Sequence, residues 1–153
     1  MSPRSVLRLL ALASVLLLAG CSSLIETVPS PTPLDFGGIA GELVKRGVAV
    51  EHYRSGDAGC TNATLIPTAI GFDASGLDQT TPTHVRIFIF RDRATFERRR
   101  SDVDACAASW VTEPSAFESI EASPYVLVGQ GPWGPKFAAA AREALVAAAG
   151  NGG

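Results

Sequence analysis

A short apolar run behind two arginines, at the start of the chain, limits how much of the sequence can enter a folded domain. Arg4 and Arg8 precede an apolar stretch at 9–19, which ends in small residues just before Cys21. Positive charge, about a dozen apolar residues and a small-residue cleavage point are together typical of a secretory signal. A membrane-spanning helix needs roughly 20 apolar residues, so an uncleaved anchor is not expected. We therefore predict that residues 1–20 are removed and that the remainder has the length of one domain.

The tetrapeptide Leu18-Ala19-Gly20-Cys21 resembles the lipobox of bacterial lipoprotein precursors. In that family the cysteine thiol receives a diacylglyceryl group, and the cysteine becomes the first residue of the mature protein. The resemblance implies a lipoprotein held by at least two acyl chains, such as palmitate, which suffice for firm attachment. It would lie on the extracytoplasmic face of the cell membrane, or at the outer membrane of a Gram-negative cell. The alternative is an ordinary secretory signal without lipidation.

The charge balance argues against nucleic acid as a partner. Residues 1–20 hold two of the 13 basic residues and none of the 15 acidic ones, so the rest of the chain has a net charge of about −4. A mildly acidic protein has no electrostatic attraction to nucleic acid or to anionic lipid headgroups. Membrane attachment is therefore expected from the acyl chains alone.

The cysteines divide into one lipid attachment point and one pair. With Cys21 assigned to lipid, Cys60 and Cys106 remain as an even pair in an exported protein, the setting in which disulfides form and persist. A bridge across a loop of this length contributes about 4 kcal/mol in the chain-entropy model. The alternatives are two buried free thiols or half of a zinc site, although no Cys-x-x-Cys pair or spaced histidines complete such a site. We predict the disulfide.

A proline-rich segment separates the signal from the domain. Pro29, Pro31 and Pro33 alternate with small polar residues, and this composition favours an extended chain. We predict a tether at 21–34, reaching up to roughly 40 Å, and a single domain at 35–150.

Hydrophobic periodicity along 35–150 predicts an α+β fold. The predicted elements are an opening helix, a strand at 48–53, a helical turn at 61–66, strands at 68–72 and 85–90, a helix capped by Asp92, a strand at 120–128 and a last helix from Pro135. The middle six match the βαββαβ order of ferredoxin-like folds. We predict an antiparallel sheet with helices on one face and additional N- and C-terminal helices. A strand meander covered by helices is the alternative, because the helix at 61–66 is weak.

The segment Gly129–Gly134 spells G-x-G-x-x-G between a predicted strand and a predicted helix. A dinucleotide fold needs a further strand with an acidic residue, which this sequence lacks, and Pro132 has no amide donor. No cofactor is therefore predicted. Two interpretations of the turn remain. Either Trp133, with Gly131 and Gly134, contacts a small ligand at the helix N-terminus, or Trp133 fills the edge of the core.

His52 and His84 are the only histidines. A metal site needs further ligands at suitable spacing, the sequence identifies no acidic partner for either histidine, and no serine stands in a G-x-S-x-G motif. We therefore predict no metal ligands and no catalytic residues.

Five arginines between positions 91 and 100 alternate with acidic residues at helical spacing. Opposite charges four residues apart stabilise a helix face, so this region predicts a solvated helix rather than a binding patch for an anionic envelope polymer. The predicted pairs are Arg93–Glu97, Arg98–Asp102 and Arg100–Asp104.

The Ser-Gly-Asp-Ala-Gly-Cys segment at 55–60 and the Gly-Pro-Trp turn at 131–133 resemble domains of uncharacterised bacterial lipoproteins. The resemblance extends over most of the chain and implies no activity. We therefore expect a membrane-anchored module that binds an envelope protein, polymer or small ligand and is not an enzyme. The alternative is a cell-envelope hydrolase that uses His52 or His84.

Overall fold

The computed structural model describes residues 35–150, so the predicted signal peptide (1–20), the lipidation site Cys21 and the tether (21–34) lie outside the described residues. The helices and strands within 35–150 are α1 (Phe36–Lys45), β1 (Ala49–Ser55), β2 (Ala69–Gly76), β3 (Gln79–Ile89), α2 (Arg93–Ala107), β4 (Phe117–Ala122), β5 (Tyr125–Gln130) and α3 (Pro135–Ala149). None of these helices combines the length and apolar character that crossing a bilayer requires.

The five strands form one antiparallel sheet in the order β1-β2-β3-β5-β4. The α+β class and the antiparallel sheet are thus confirmed. The ferredoxin-like order is not, because it needs a helix between the first two strands. Here β1 pairs directly with β2, and their connection holds only a 3-10 turn at Ile66–Thr68. Gly56, Gly59 and Pro67 disfavour a longer helix in this connection, so β1, β2 and β3 form a meander, as in the alternative prediction.

Helices cover both faces of the sheet, which differs from the predicted arrangement on one face. On the first face, α1 and α3 pack over a core that includes Ile39, Leu43, Phe72, Ile87, Leu127 and Phe137. On the second face, α2 packs over a smaller core that includes Phe88, Val103, Cys106, Val126 and Val128. Alternate residues of β5 therefore enter different cores. All but the last residue of β5 are buried, as expected for a strand covered on both sides.

Carboxylates cap the starts of the first two helices. Asp35 accepts a hydrogen bond of 3.0 Å from the Gly38 amide, and Asp92 accepts one of 2.7 Å from the Thr95 amide. The hydrogen bonds from Thr95, followed by one from Arg91, lower the pKa of Asp92 to about 2. The predicted N-cap at Asp92 is therefore confirmed, and it fixes where α2 begins on the second face.

Candidate functional site

The predicted disulfide is confirmed and attaches the loop after β1 to α2. Cys60 and Cys106 are bonded, with their Cα atoms 5.5 Å apart, within the range that an unstrained bridge needs. Cys106 is 4% exposed and faces the second core. The disulfide therefore joins the segment that begins at Ser55 to the helix that covers the second face.

Polar side chains on the second face of the sheet form a continuous string of close contacts. We call His52, Asp57, Asp73, His84 and Arg86 the polar face. The Asp73 carboxylate lies between the histidines, 3.1 Å from Nδ1 of His52 and 2.9 Å from Nδ1 of His84. Asp57 lies 3.2 Å from Nε2 of His84 and accepts a hydrogen bond of 3.1 Å from Nε of Arg86. Five side chains from two strands, a bulge and a loop are thus connected by successive polar contacts of 2.9–3.2 Å.

The strand register aligns the centre of the polar face. Asp73 of β2 lies directly opposite His84 of β3, and Gly71 lies opposite Arg86, so both pairs project to the same side of the sheet. Asp57 reaches over the sheet at Gly71. A Cβ atom at position 71 would lie only 2.5 Å from Oδ2 of Asp57, so only glycine leaves room for this carboxylate.

A second glycine, Gly59, makes room for the stacking of Arg86 on Trp110. The guanidinium carbon of Arg86 lies 4.4 Å from the ring centroid of Trp110, a cation–π contact. Gly59 has a φ of +74°, and a Cβ there would lie 2.5 Å from the Trp110 ring and 2.7 Å from Nε of Arg86. In the segment at 55–60, Asp57, Gly59 and Cys60 therefore each have a structural role.

Neighbouring charges keep the two carboxylates ionised. Burial disfavours the ionised form of Asp57, but Arg86 and His84 together outweigh it and hold the pKa of Asp57 below its usual value. For Asp73 the hydrogen bond from His84 is the largest effect, and with that from His52 it lowers the pKa of Asp73 against a smaller effect of burial. Carboxylates only accept hydrogen bonds. His84 therefore bonds to both aspartates only when both of its ring nitrogens carry protons.

A β-bulge turns His52 toward the polar face. The β1–β2 register shifts between Glu51 and Arg54, and His52 within this shift has a φ of +51°. Left-handed backbone is costly for a residue with a side chain, of order 1–3 kcal/mol, and bulges often redirect a side chain at a functional site. The side chain of His52 is 78% exposed and that of His84 is 41% exposed. Both imidazoles are thus accessible from solvent.

The acidic partners of the histidines are the functional feature that sequence reasoning missed. Asp73 is 11 residues from His84 and Asp57 is 27 residues from it, so no local spacing motif connects them. Their proximity follows from the β2–β3 register and from the loop that crosses Gly71. Within residues 35–150, no group of three or more His, Cys, Asp or Glu side chains has the arrangement of a metal site.

The structure corrects the ligand-contact interpretation of Trp133. Its side chain is 6% exposed, packs edge-on against Phe137 with 5.7 Å between ring centroids, and donates a hydrogen bond of 3.2 Å to the Gln130 carbonyl. The indole therefore has no free stacking surface, and it fills the edge of the first core. The Gly131 amide is also occupied within the domain, because it donates a hydrogen bond of 2.6 Å to the Ala116 carbonyl.

A carboxylate of the same chain occupies the N-terminus of α3. Asp78 accepts hydrogen bonds of 2.9 Å from the amides of both Lys136 and Phe137, and Gln79 accepts one of 3.2 Å from the Gly134 amide. The bond from the Lys136 amide is the main reason that the pKa of Asp78 is lowered. A Cβ at Gly134 would collide with Asp78. The amides at the N-terminus of α3, where one of the two interpretations placed a ligand, are therefore bound to Asp78 and Gln79.

Most arginines of α2 are paired along the helix. The predicted pairs Arg93–Glu97 and Arg100–Asp104 are confirmed, at 2.9 and 2.6 Å. The pair Arg98–Asp102 does not form, because Asp102 bonds to Arg99 at 2.9 Å instead. The solvated helix face, rather than a free basic patch, describes this region.

No protein-family model, curated protein or solved structure matches this chain. The polar face is the candidate functional site because its histidines and aspartates are in hydrogen-bonding contact with one another and both imidazoles are accessible from solvent.

Proposed function

We propose that this chain is a lipid-anchored, extracytoplasmic binding module that holds a polar ligand on the polar face. The location rests on two features of different kind. The lipobox resemblance at Cys21 provides the anchor, and the Cys60–Cys106 disulfide suits an oxidising compartment.

The polar face is the observation that carries the binding role. Its five side chains present both hydrogen-bond donors and acceptors. Four of them lie on strands of the sheet, as in precise recognition sites, and Asp57 lies in the loop that the Cys60–Cys106 disulfide attaches to α2. Asp73 and His84 are 33% and 41% exposed, so a ligand has access to both without disturbing the core. A ligand that bears hydroxyl, carboxylate or ammonium groups, such as an envelope polymer or a small polar molecule, matches this surface. An apolar ligand does not.

Mutation of Cys21 tests the anchor. A Cys21→Ser variant is expected to leave the membrane fraction and to appear in the soluble fraction, because no acyl chain can be attached. Intact mass of the wild-type protein is expected to show Cys21 as the first residue, with a diacylglyceryl addition. An unmodified Cys21 would contradict the anchor while leaving the binding role open.

Binding is tested by following the ring signals of His52 and His84 by NMR. Soluble peptidoglycan fragments and envelope polysaccharides are the probes, added to the purified protein. A matching ligand is expected to shift both imidazole signals. Asp73→Asn is expected to weaken the effect, because asparagine is uncharged and keeps one acceptor oxygen, whereas the two oxygens of Asp73 contact one histidine each. Arg142→Ala, on the exposed side of α3, is the control and should bind normally. Equal binding by Asp73→Asn and the control would exclude the polar face.

One observation favours the hydrolase alternative. Asp73 contacts Nδ1 of His52 at 3.1 Å, the orientation in which a carboxylate supports a histidine general base, and the exposed ring leaves Nε2 accessible. No serine, threonine or cysteine hydrogen bonds to either histidine within the described residues. A hydrolase of this kind would therefore activate water, and its activity on envelope polymers would be lost in His52→Ala.

A further inference from the structure

An apolar pocket lies between the end of α2 and the start of β4. Its volume is about 400 Å³, at the lower end of the range for ligand pockets, roughly 300–1,000 Å³. Ala108 and Pro114 are exposed and Ala107 is buried, so the pocket reaches from the surface to the second core. Five of the six residues that line it are apolar: Ala107, Ala108, Val111, Pro114 and Phe117.

The surroundings of this pocket are acidic. Asp104 is its sixth lining residue, and the Asp104 side chain is 55% exposed. Asp104 pairs with Arg100 at 2.6 Å, but Arg100 also pairs with Glu121, so two carboxylates share one guanidinium. Glu113, next to Pro114 in the chain, is exposed and forms no ion pair within residues 35–150. One cation and three carboxylates therefore leave an excess of negative charge beside the pocket.

The end of α2 adds to this negative potential. The C-terminus of a helix carries a partial negative charge, which favours cations nearby. Ala107 ends α2 and Ala108 caps it, and the last turn of α2 holds no basic residue. The helix end beside the pocket is therefore not compensated from its own last turn. An apolar group with positive charge next to it complements such a surface, whereas an acidic one does not.

We propose that this pocket binds a basic segment of a partner protein. The segment places one large apolar side chain in the pocket, and the Lys or Arg residues next to it lie beside Asp104 and Glu113. An apolar anchor in a pocket commonly dominates such an interface, and charges around it select the partner. A second copy of this acidic chain is disfavoured by its net charge of about −4 after residue 20. β4 lies at the sheet edge opposite β1, so this binding does not depend on the polar face.

Fluorescence anisotropy of labelled peptides measures this binding, with the full chain reconstituted in phosphatidylcholine nanodiscs and empty nanodiscs as the blank. The probe is a Gly-Ser peptide with Lys-Phe-Lys at its centre, and the comparison peptides carry Lys-Ser-Lys or Glu-Phe-Glu there. The Lys-Phe-Lys peptide is expected to bind about tenfold more tightly than either, because only it supplies both the anchor and the charges. Phenylethylammonium, a small amine with the same ring, should not displace it at equal concentration.

Two variants test the pocket and its charges separately. Ala108→Trp places an indole at the exposed side of the pocket and should weaken peptide binding about tenfold with unchanged thermal unfolding; Ala147→Trp, exposed on α3, is its matched control. Glu113→Arg breaks no ion pair of the domain and should weaken binding about fivefold, whereas Glu51→Arg, exposed on β1, should not.

The peptides and the variants together decide the proposal. Asp73→Asn is expected to bind the Lys-Phe-Lys peptide as the wild type does, so a failure of the polar face as a binding site leaves this result unchanged. Equal binding of the three peptides, or displacement by phenylethylammonium at equal concentration, overturns the proposal. Wild-type affinity in both Ala108→Trp and Glu113→Arg overturns it as well.

Discussion

Replacement of Gly71 by alanine is expected to destabilise the domain, although glycine-to-alanine changes often stabilise a strand. The added Cβ would lie 2.5 Å from Oδ2 and 2.8 Å from Cγ of Asp57, too close for the carboxylate to stay where it is. The Asp57 side chain is short, so it cannot move away and keep its contacts of 3.2 Å to His84 and 3.1 Å to Arg86. The central link of the polar face would therefore break.

The expected loss follows from two opposing contributions. Hydrogen bonds to a charged group contribute about 1.5–3 kcal/mol. Alanine also restricts the conformations of the unfolded chain, and this raises the free energy of unfolding by about 0.4–1 kcal/mol. Because the Asp57 side chain is 20% exposed, hydrogen bonds from water to its carboxylate offset part of the lost stability. The net decrease in the free energy of unfolding at Gly71→Ala should be about 1–2 kcal/mol.

Urea unfolding under non-reducing conditions measures this loss. Gly41→Ala is the matched control, because its Cβ meets nothing within 4 Å inside α1, and it should gain about 0.5–1 kcal/mol. Asp57→Gly removes Oδ2, Cγ and Cβ, the three Asp57 atoms within 3.0 Å of the added Cβ, so in that background Gly71→Ala should no longer destabilise. A Gly71→Ala variant that is as stable as the wild type, or that loses the same amount without the Asp57 carboxylate, would refute the reasoning.

Three further predictions concern stability. Trp133→Ala should lower the free energy of unfolding by about 3–5 kcal/mol, because the indole is buried; a wild-type urea midpoint would contradict its place in the core. Replacing both Cys60 and Cys106 by alanine should cost about 4 kcal/mol on the loop-closure model, and a variant whose denaturation midpoint does not move would show that the bridge is unimportant. The lowered pKa values of Asp57 and Asp73 give stability that is present above the usual carboxylate range and is lost as the pH falls through their folded-state values. Urea midpoints measured down to about pH 2 should therefore fall less steeply in Asp73→Asn, and an unchanged slope would exclude Asp73 as a contributor.

The sequence predicts those features of the fold that local chemistry decides. Asp92 caps α2 because its carboxylate binds an amide three residues away. Cys60 and Cys106 could be paired because parity and compartment leave one partner for each. The apolar run at 85–90 predicts a strand, and all but its last residue lie in β3. Each of these predictions needs only neighbouring residues or a count.

The remaining features depend on register, which no local pattern supplies. β5 lies between β3 and β4, and its alternate residues enter different cores because α2 covers one face of the sheet and α1 and α3 cover the other. The polar face also depends on register, because Asp73 meets His84 only through the alignment of β2 with β3. Asp78 likewise caps α3 from 58 residues away. Of the two interpretations of Trp133, the one in which it fills the edge of the core agrees with its 6% exposure, and the cap from Asp78 occupies the helix N-terminus where the other placed a ligand.

The central position of β5 also determines the order in which the sheet can be completed. β3 pairs with β2 on one side and with residues 125–129 of β5 on the other. β5 lies near the end of the described chain, and β3, the last strand of the meander, ends more than 35 residues before it. During synthesis or export from the N-terminus, the meander is available while the inner edge of β3 is still unpaired. An unpaired apolar edge recruits other chains. Interruption of the chain before β5 should therefore produce aggregation, and not merely a less stable monomer.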